Sequence, residues 1–192
     1  ATRWRDSDLQ FAIDVANAML ENFEDTANGG FFFTSNDHEN LVQRTKPLTD
    51  ESLPSGNGVA VQALIALGSL TGESRYLDAA ARALRSSMTQ IDRWPSAHGT
   101  LLRGMLDHMN PVRRVIVRGN DMDEAMTWRV AALEQLNPRD RCYVVPANNG
   151  LLDSIRSANV QAASTTTAYV CCGVEVSEPL DSLNDLKKHL TV

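Results

Sequence analysis

The chain has 192 residues and a mass of 21.1 kDa, with 43% hydrophobic and 22% charged residues, which bounds it at one or two folded domains and disfavours disordered, collagen-like and coiled-coil readings. A net charge of -6 argues against a dedicated nucleic-acid binder, because phosphate contacts need clustered cations. The longest nearly uninterrupted apolar run, Val59 to Leu70, falls well short of the roughly 20 residues that cross a bilayer, so no membrane span is expected.

The first predicted element is a helix over residues 7–25, where Leu9, Ile13, Ala16, Leu20 and Phe23 share one face and Asp6 or Ser7 stands at the cap. Asn28-Gly29-Gly30 ends it. Phe31-Phe32-Phe33 and a second short extended piece at Leu41 to Arg44 predict a hairpin. Pro54-Ser55-Gly56-Asn57 starts a second helix over about 57–71, stopped by Gly72. Tyr76 to Ile91 defines a third, ending ahead of Trp94-Pro95, and Leu101 to Met109 a fourth, ending at Asn110-Pro111.

The pattern changes after Pro111. Val115-Ile116-Val117 reads as a strand, Asp121 to Leu136 as a helix and Cys142 to Val145 as a second strand, together a strand-helix-strand unit. Residues 151–164 carry little pattern; Thr166 to Cys172 reads as a third strand and Leu180 to Leu190 as a final amphipathic helix. The expected fold is mixed: helical hairpins over 1–110, then a small α/β region over 111–192.

Fifteen of the 18 basic residues are Arg, and the densest group is Arg113, Arg114 and Arg118. The first two are expected at a strand end or edge, where charge is ordinary protection against pairing. Three cysteines, Cys142, Cys171 and Cys172, form no Cys-x-x-Cys, so a disulfide framework and a zinc site are not indicated and a reducing, cytoplasmic compartment fits best. The adjacent pair is expected to be two buried small hydrophobes. Residues 1–20 lack the pattern of a signal peptide, and Ala1 as first residue suggests an excised chain.

Cofactor motifs are absent. Gly119 follows a strand, but Asp121, Asp123 and Glu124 put negative charge where a phosphate would sit, capping the helix instead. No Gly-x-Ser-x-Gly elbow surrounds Ser55. The richest polar stretch is Asn36 to Asn57. Asp37, His38 and Asp50 are the candidate catalytic residues, since paired carboxylates suit acid–base work on a glycosidic bond and histidine exchanges protons near neutrality. Arg44, Glu51, Ser55 and Asn57 are the candidate substrate contacts. The competing reading is a solvated structural loop, with Asp37 and Asn57 capping and Arg44 pairing. His98, His108 and His189 are expected in surface or capping roles.

Gly29-Gly30-Phe31-Phe32-Phe33-Thr34, Asp37-His38-Glu39-x-Leu41, Arg44-x-Lys46 and Pro54-Ser55-Gly56-Asn57-Gly58, followed in order by Leu70-Thr71-Gly72, Val115-Ile116-Val117-x-Gly119 and Ala168-Tyr169-Val170-Cys171, resemble the C-terminal half of the thioredoxin-domain-containing, spermatogenesis-associated-protein-20-like family. The resemblance implies a piece of an (α/α)6 toroid of the six-hairpin-glycosidase kind, about two of six hairpins, with a small α/β portion after it. It also implies a carbohydrate-type pocket in an otherwise undefined activity. The partners implied are the missing thioredoxin-like and helical parts or a second copy, because an incomplete toroid exposes apolar flanks. Two departures stand out. Asp50-Glu51-Ser52-Leu53 replaces the family's Asp-Gly-Ala, and Val176 stands where the family has its second cysteine.

Overall fold

The computed structural model describes residues 4–37, 44–147 and 165–191. It is a mixed fold of six helices and one four-stranded sheet among those residues. Two compact units emerge: one comprises Phe11–Gly68 and Glu73–Pro111, and the other combines the chain before Phe11, Ser69–Gly72 and the described residues from Val112 on.

The helical unit holds most of α1 (Asp6–Phe23) and α2 (Gly56–Thr71), with all of α3 (Ser74–Arg93), a short 3-10 turn at Pro95–Ala97 and α4 (Gly99–Met109). All four helices fall where the apolar spacing predicts them. In α3 the stripe Tyr76, Ala79, Ala80, Ala83, Leu84 and Ile91 is buried, the 3.6-residue repeat of a helix with one face in a core. Helix α2 differs, since it contains no charged residue; Val61 and Leu64 are buried while Val59 is half exposed. The Tyr76 hydroxyl donates to Asn17 Oδ1 at 2.7 Å, and Arg82 grips Glu24 through Nη2 at 2.6 Å and Nε at 2.9 Å, tying α3 to α1 and the turn after it.

Among the described residues the Phe31 to Phe33 segment is not part of a named strand, and the predicted pairing with Leu41 to Arg44 falls largely outside them. Phe31 makes a single antiparallel bridge to Glu24, and the Phe33 N–H donates to Thr45 O. The amide side chain of Asn57 takes both the N–H and the C=O of Phe31, which satisfies that residue's backbone groups. Leu41 to Gln43, the centre of the expected second piece, lies outside the described residues.

The second unit is built on β1 (Arg113–Gly119), α5 (Met122–Leu133), β2 (Arg141–Pro146), β3 (Thr167–Cys172), β4 (Glu175–Val176) and α6 (Leu183–Leu190). The sheet order is β2-β1-β3-β4, with β1 parallel to β2 and antiparallel to β3; α5 connects the parallel pair, the expected strand-helix-strand unit. Asp121 caps α5 by accepting from the N–H groups of Asp123 and Glu124, and Ser182 caps α6. Alternation along the strands separates two clusters. Val115, Val117, Ala168 and Val170 pack with Ala125 and Trp128 of α5 and with Leu186 and Leu190 of α6. Ile116, Val145, Tyr169 and Cys171 form the other cluster, against which Trp4 and Leu70 pack.

Arg113 stands at the start of β1, as expected of a strand end, but the topology corrects the edge reading. β1 is a central strand, so Arg114 and Arg118 are buried in its even-numbered register, and Arg118 is fully so. Arg118 Nη2 donates to the carbonyl oxygens of Pro146 and Ala147. Arg113 Nε bonds Asp140 Oδ2 at 3.2 Å and its Nη1 the Leu190 carbonyl. Guanidinium groups here satisfy strand ends and loops rather than guard an edge.

The cysteines also part company. None is in a disulfide; Cys142 and Cys171 are buried and Cys172 is exposed, because neighbours on a strand face opposite sides. Burial pushes the Cys142 thiol up to about 12, with Arg129 opposing, which keeps it from ionising at neutral pH. Treating the folded protein with iodoacetamide is expected to alkylate Cys172 first, with Cys142 and Cys171 reacting only on unfolding; intact-mass counting with peptide mapping checks this.

Candidate functional site

The polar stretch singled out by sequence is arranged around the start of α2. Helix starts leave N–H groups without intrahelical acceptors, and this segment supplies them. Ser55 Oγ accepts from the Gly58 N–H at 3.1 Å. Asp50 Oδ1 accepts from the Ser55 N–H at 2.8 Å, and its Oδ2 accepts from the Thr100 N–H at 2.7 Å. One carboxylate thus joins the entry of α2 to the first turn of α4. Burial raises the Asp50 carboxyl, but the N–H groups of Ser55 and Thr100 outweigh it and hold the group below the ordinary carboxylate range. At neutral pH Asp50 is an anion pinned on both oxygens.

Asn57 is buried, with Oδ1 accepting from Phe31 N–H at 2.7 Å and Nδ2 donating to Phe31 O at 2.9 Å and Pro47 O at 3.0 Å. Three backbone groups from two loop segments therefore converge on one amide. Both Nδ2 hydrogens are thereby committed, so a substrate acceptor at Asn57 requires displacing one of them.

The glycine loop before it has its own anchor. Asp25 accepts from the N–H groups of Ala27 and Asn28, and the Lys46 ammonium donates to Asp25 Oδ2 at 2.6 Å and to Gly29 O at 2.7 Å. The Lys46 hydrogen bond and the Asn28 groups hold the Asp25 carboxyl far below the usual range against the upward push of burial. Gly29 sits at φ +78°, and a Cβ there would collide with the Arg82 carbonyl, so both the turn and the close approach require glycine.

The remaining candidates are placed separately. Asp37 is exposed and accepts from the Ser35 hydroxyl. Glu51 is exposed. Arg44 donates through Nη2 to the carbonyls of Thr34 and Asn22 and lies 4.1 Å over the Phe32 ring. His38 lies outside the described residues. The structure thus joins Asp50, Ser55 and Asn57 in one hydrogen-bonded helix entry; the competing structural reading had Asn57 capping, whereas the amide ties Phe31 and Pro47 instead. His98, expected at the surface or as a cap, is 1% exposed, with Nδ1 2.8 Å from Trp94 O; His108 and His189 are exposed.

Beside this helix entry lies a feature that residue-by-residue reading missed. A cleft of about 440 Å³ runs between α1 (Val15, Ala18, Met19), the Phe31 to Phe33 segment and the start of α2 (Gly56, Ala60), with Asn57 as its one side chain bearing polar atoms. Phe33 at its rim is 72% exposed. The absence of charge in α2, and the apolar residues at Phe11, Val15 and Ala18 one helical turn apart on α1, are the sequence signals that mark these helix faces. No group of His, Cys, Asp and Glu suited to holding a metal ion occurs among the described residues, and no helix of those residues is long and apolar enough to cross a membrane.

No family model and no curated protein sequence matches this chain.

Proposed function

We propose that the chain is a non-catalytic interaction module, the scaffold role that accompanies the resemblance to the thioredoxin-domain-containing family, with the apolar cleft as its binding face. One observation carries this reading: Asp50, Ser55 and Asn57, three of the polar groups that a sugar-directed site would use, are engaged in holding the loop. Asp50 is bound on both oxygens, Ser55 accepts from Gly58, and Asn57 holds three backbone groups. The adjacent cleft is lined by aliphatic and phenyl groups. Sugar hydroxyls placed there lose water without gaining partners, a cost of roughly 1–3 kcal/mol for each buried group. An apolar helix face loses nothing of the kind, and exposed patches of this sort mark association surfaces on soluble domains. The partners proposed are helices of a longer parent protein or a second copy.

The alternative, a carbohydrate-type pocket in a complete parent, keeps Asp37 and Glu51 as exposed carboxylates. Two measurements separate the readings. Sedimentation velocity from low to high micromolar concentration is expected to show self-association that Val15→Glu and Phe33→Glu abolish without lowering thermal stability, since both residues are at least half exposed. Thermal unfolding in millimolar mono- and oligosaccharides is expected to show no stabilisation. A strictly monomeric chain stabilised by sugar overturns the proposal.

A further inference from the structure

We propose that the outer edge of β2, with the cleft beside it, binds an extended carboxylate-bearing peptide segment as an added strand. Three observations within the sheet-bearing unit converge on this.

The first is the backbone. Among the described residues β2 is the terminal strand of the sheet, paired on one side with β1. The Ala147 N–H donates to Gly119 O, which fixes the alternation: Tyr143 and Val145 turn their backbone groups to β1, whereas Cys142 and Val144 turn theirs away. No described residue hydrogen-bonds those outward N–H and C=O groups. The usual protections of an edge are sparse, since Arg141 is the only charged residue of β2 and Pro146 ends it.

The second is a cleft of about 460 Å³ between α5 and β2. Both Cys142 and Tyr143 line it. Neighbouring residues of a strand point to opposite faces, so a space that touches both wraps the strand's edge rather than lying on one face. Leu133 of α5 forms an apolar wall. A groove between an open strand and a helix suits strand addition, in which main-chain bonds give affinity and pockets select alternate side chains.

The third is charge. Arg129 reaches into the cleft and makes no hydrogen bond or ion pair with any described residue, although its Nε is buried. The carboxylate present, Asp140, is already bound to Arg113 and to the Asn137 N–H, and Arg141 Nη1 is held by the carbonyls of Pro138, Arg139 and Asp140. A guanidinium with no partner among the described residues, beside a strand edge that none of them pairs with, selects an acidic side chain or a terminal carboxylate, which it holds through a charge-assisted pair of bonds.

The test uses the full chain and an N-acetylated hexapeptide of alternating valine and aspartate with a free C-terminus, against its valine–lysine counterpart. In the protein alone, hydrogen exchange followed by NMR is expected to show fast exchange at the Cys142 and Val144 amides and protection at Tyr143 and Val145. The acidic peptide is expected to protect Cys142 and Val144 and to bind at least about tenfold more tightly than the basic one; Arg129→Gln weakens it about tenfold with thermal stability unchanged. Protection of Cys142 and Val144 before any peptide is added overturns the proposal, as does equal binding of the two peptides. Protection that rises with protein concentration alone assigns the edge to a second copy. Displacement of the peptide by inorganic phosphate at similar concentration reduces the site to a small-anion site, and either result also overturns the strand-addition reading. Failure of the acidic peptide to protect either amide at millimolar concentration does the same. None of these outcomes depends on the cleft between α1 and α2, so this proposal and the proposed function fail separately.

Discussion

Asn57→Ala is expected to destabilise the protein by about 3–5 kcal/mol, the largest effect of any single substitution in the polar segment. Truncation leaves Phe31 N–H, Phe31 O and Pro47 O without their partner, and each buried group so stranded costs about 1–3 kcal/mol, partly relieved by relaxation and water. Against a total stability of roughly 5–15 kcal/mol, that threatens folding of the helical unit. Asn57→Asp separates geometry from chemistry: it keeps an acceptor for Phe31 N–H but sets a carboxylate against two carbonyl oxygens, and should cost nearly as much. Urea unfolding monitored by far-UV circular dichroism, comparing midpoints at constant slope, is the measurement. If Asn57 instead serves a ligand and not the fold, Asn57→Ala leaves the midpoint in place.

Asp50→Asn is expected to cost about 1–3 kcal/mol at neutral pH, because two helix-start N–H groups lose an anionic acceptor and one of them loses its acceptor altogether. The pH dependence follows from the direction of the shift. The folded carboxyl titrates below its unfolded value, so its contribution is fully present above about pH 4, the usual carboxylate value, and is lost as pH falls through the lower folded value. The gap between wild type and Asp50→Asn should therefore be constant from neutral pH down to about 4 and close below it. Thermal melts across that range test the sign; a gap that opens on acidification contradicts it. The same experiment bears on function. A general acid must hold a proton near the working pH, so a gap that stays constant down to about pH 4 argues against that role for Asp50.

Sequence periodicity made the helices legible because each buries one apolar stripe. The positions of Tyr76, Ala80 and Leu84, or of Leu186 and Leu190, follow from spacing alone, and all are buried. The strands at Val115 to Val117 and Cys142 to Val145, and the capping role of Asp121, were equally readable, since β-branched runs and an acid at a helix start act locally. The candidate site was only half legible. That Asp50, Ser55 and Asn57 belong together could be seen from their place at a helix start; that their polar atoms are consumed there could not, because Phe31 is 26 residues from Asn57 and Thr100 is 50 from Asp50.

By itself, then, the sequence determined the type of most elements and the helix boundaries within about three residues, because these depend on neighbours within a turn or a strand. Tertiary structure decided the rest. Strand order made β1 central and so buried Arg114 and Arg118, set β2 at the end of the sheet among the described residues, and put Cys171 inside and Cys172 outside. Long-range hydrogen bonding made Asp50, Ser55 and Asn57 braces of a helix entry. The apolar cleft between α1 and α2 arises from residues up to 45 positions apart, from Val15 to Ala60. Burial and pairing are properties of which segments meet, and that information is distributed over the chain rather than carried by any one motif.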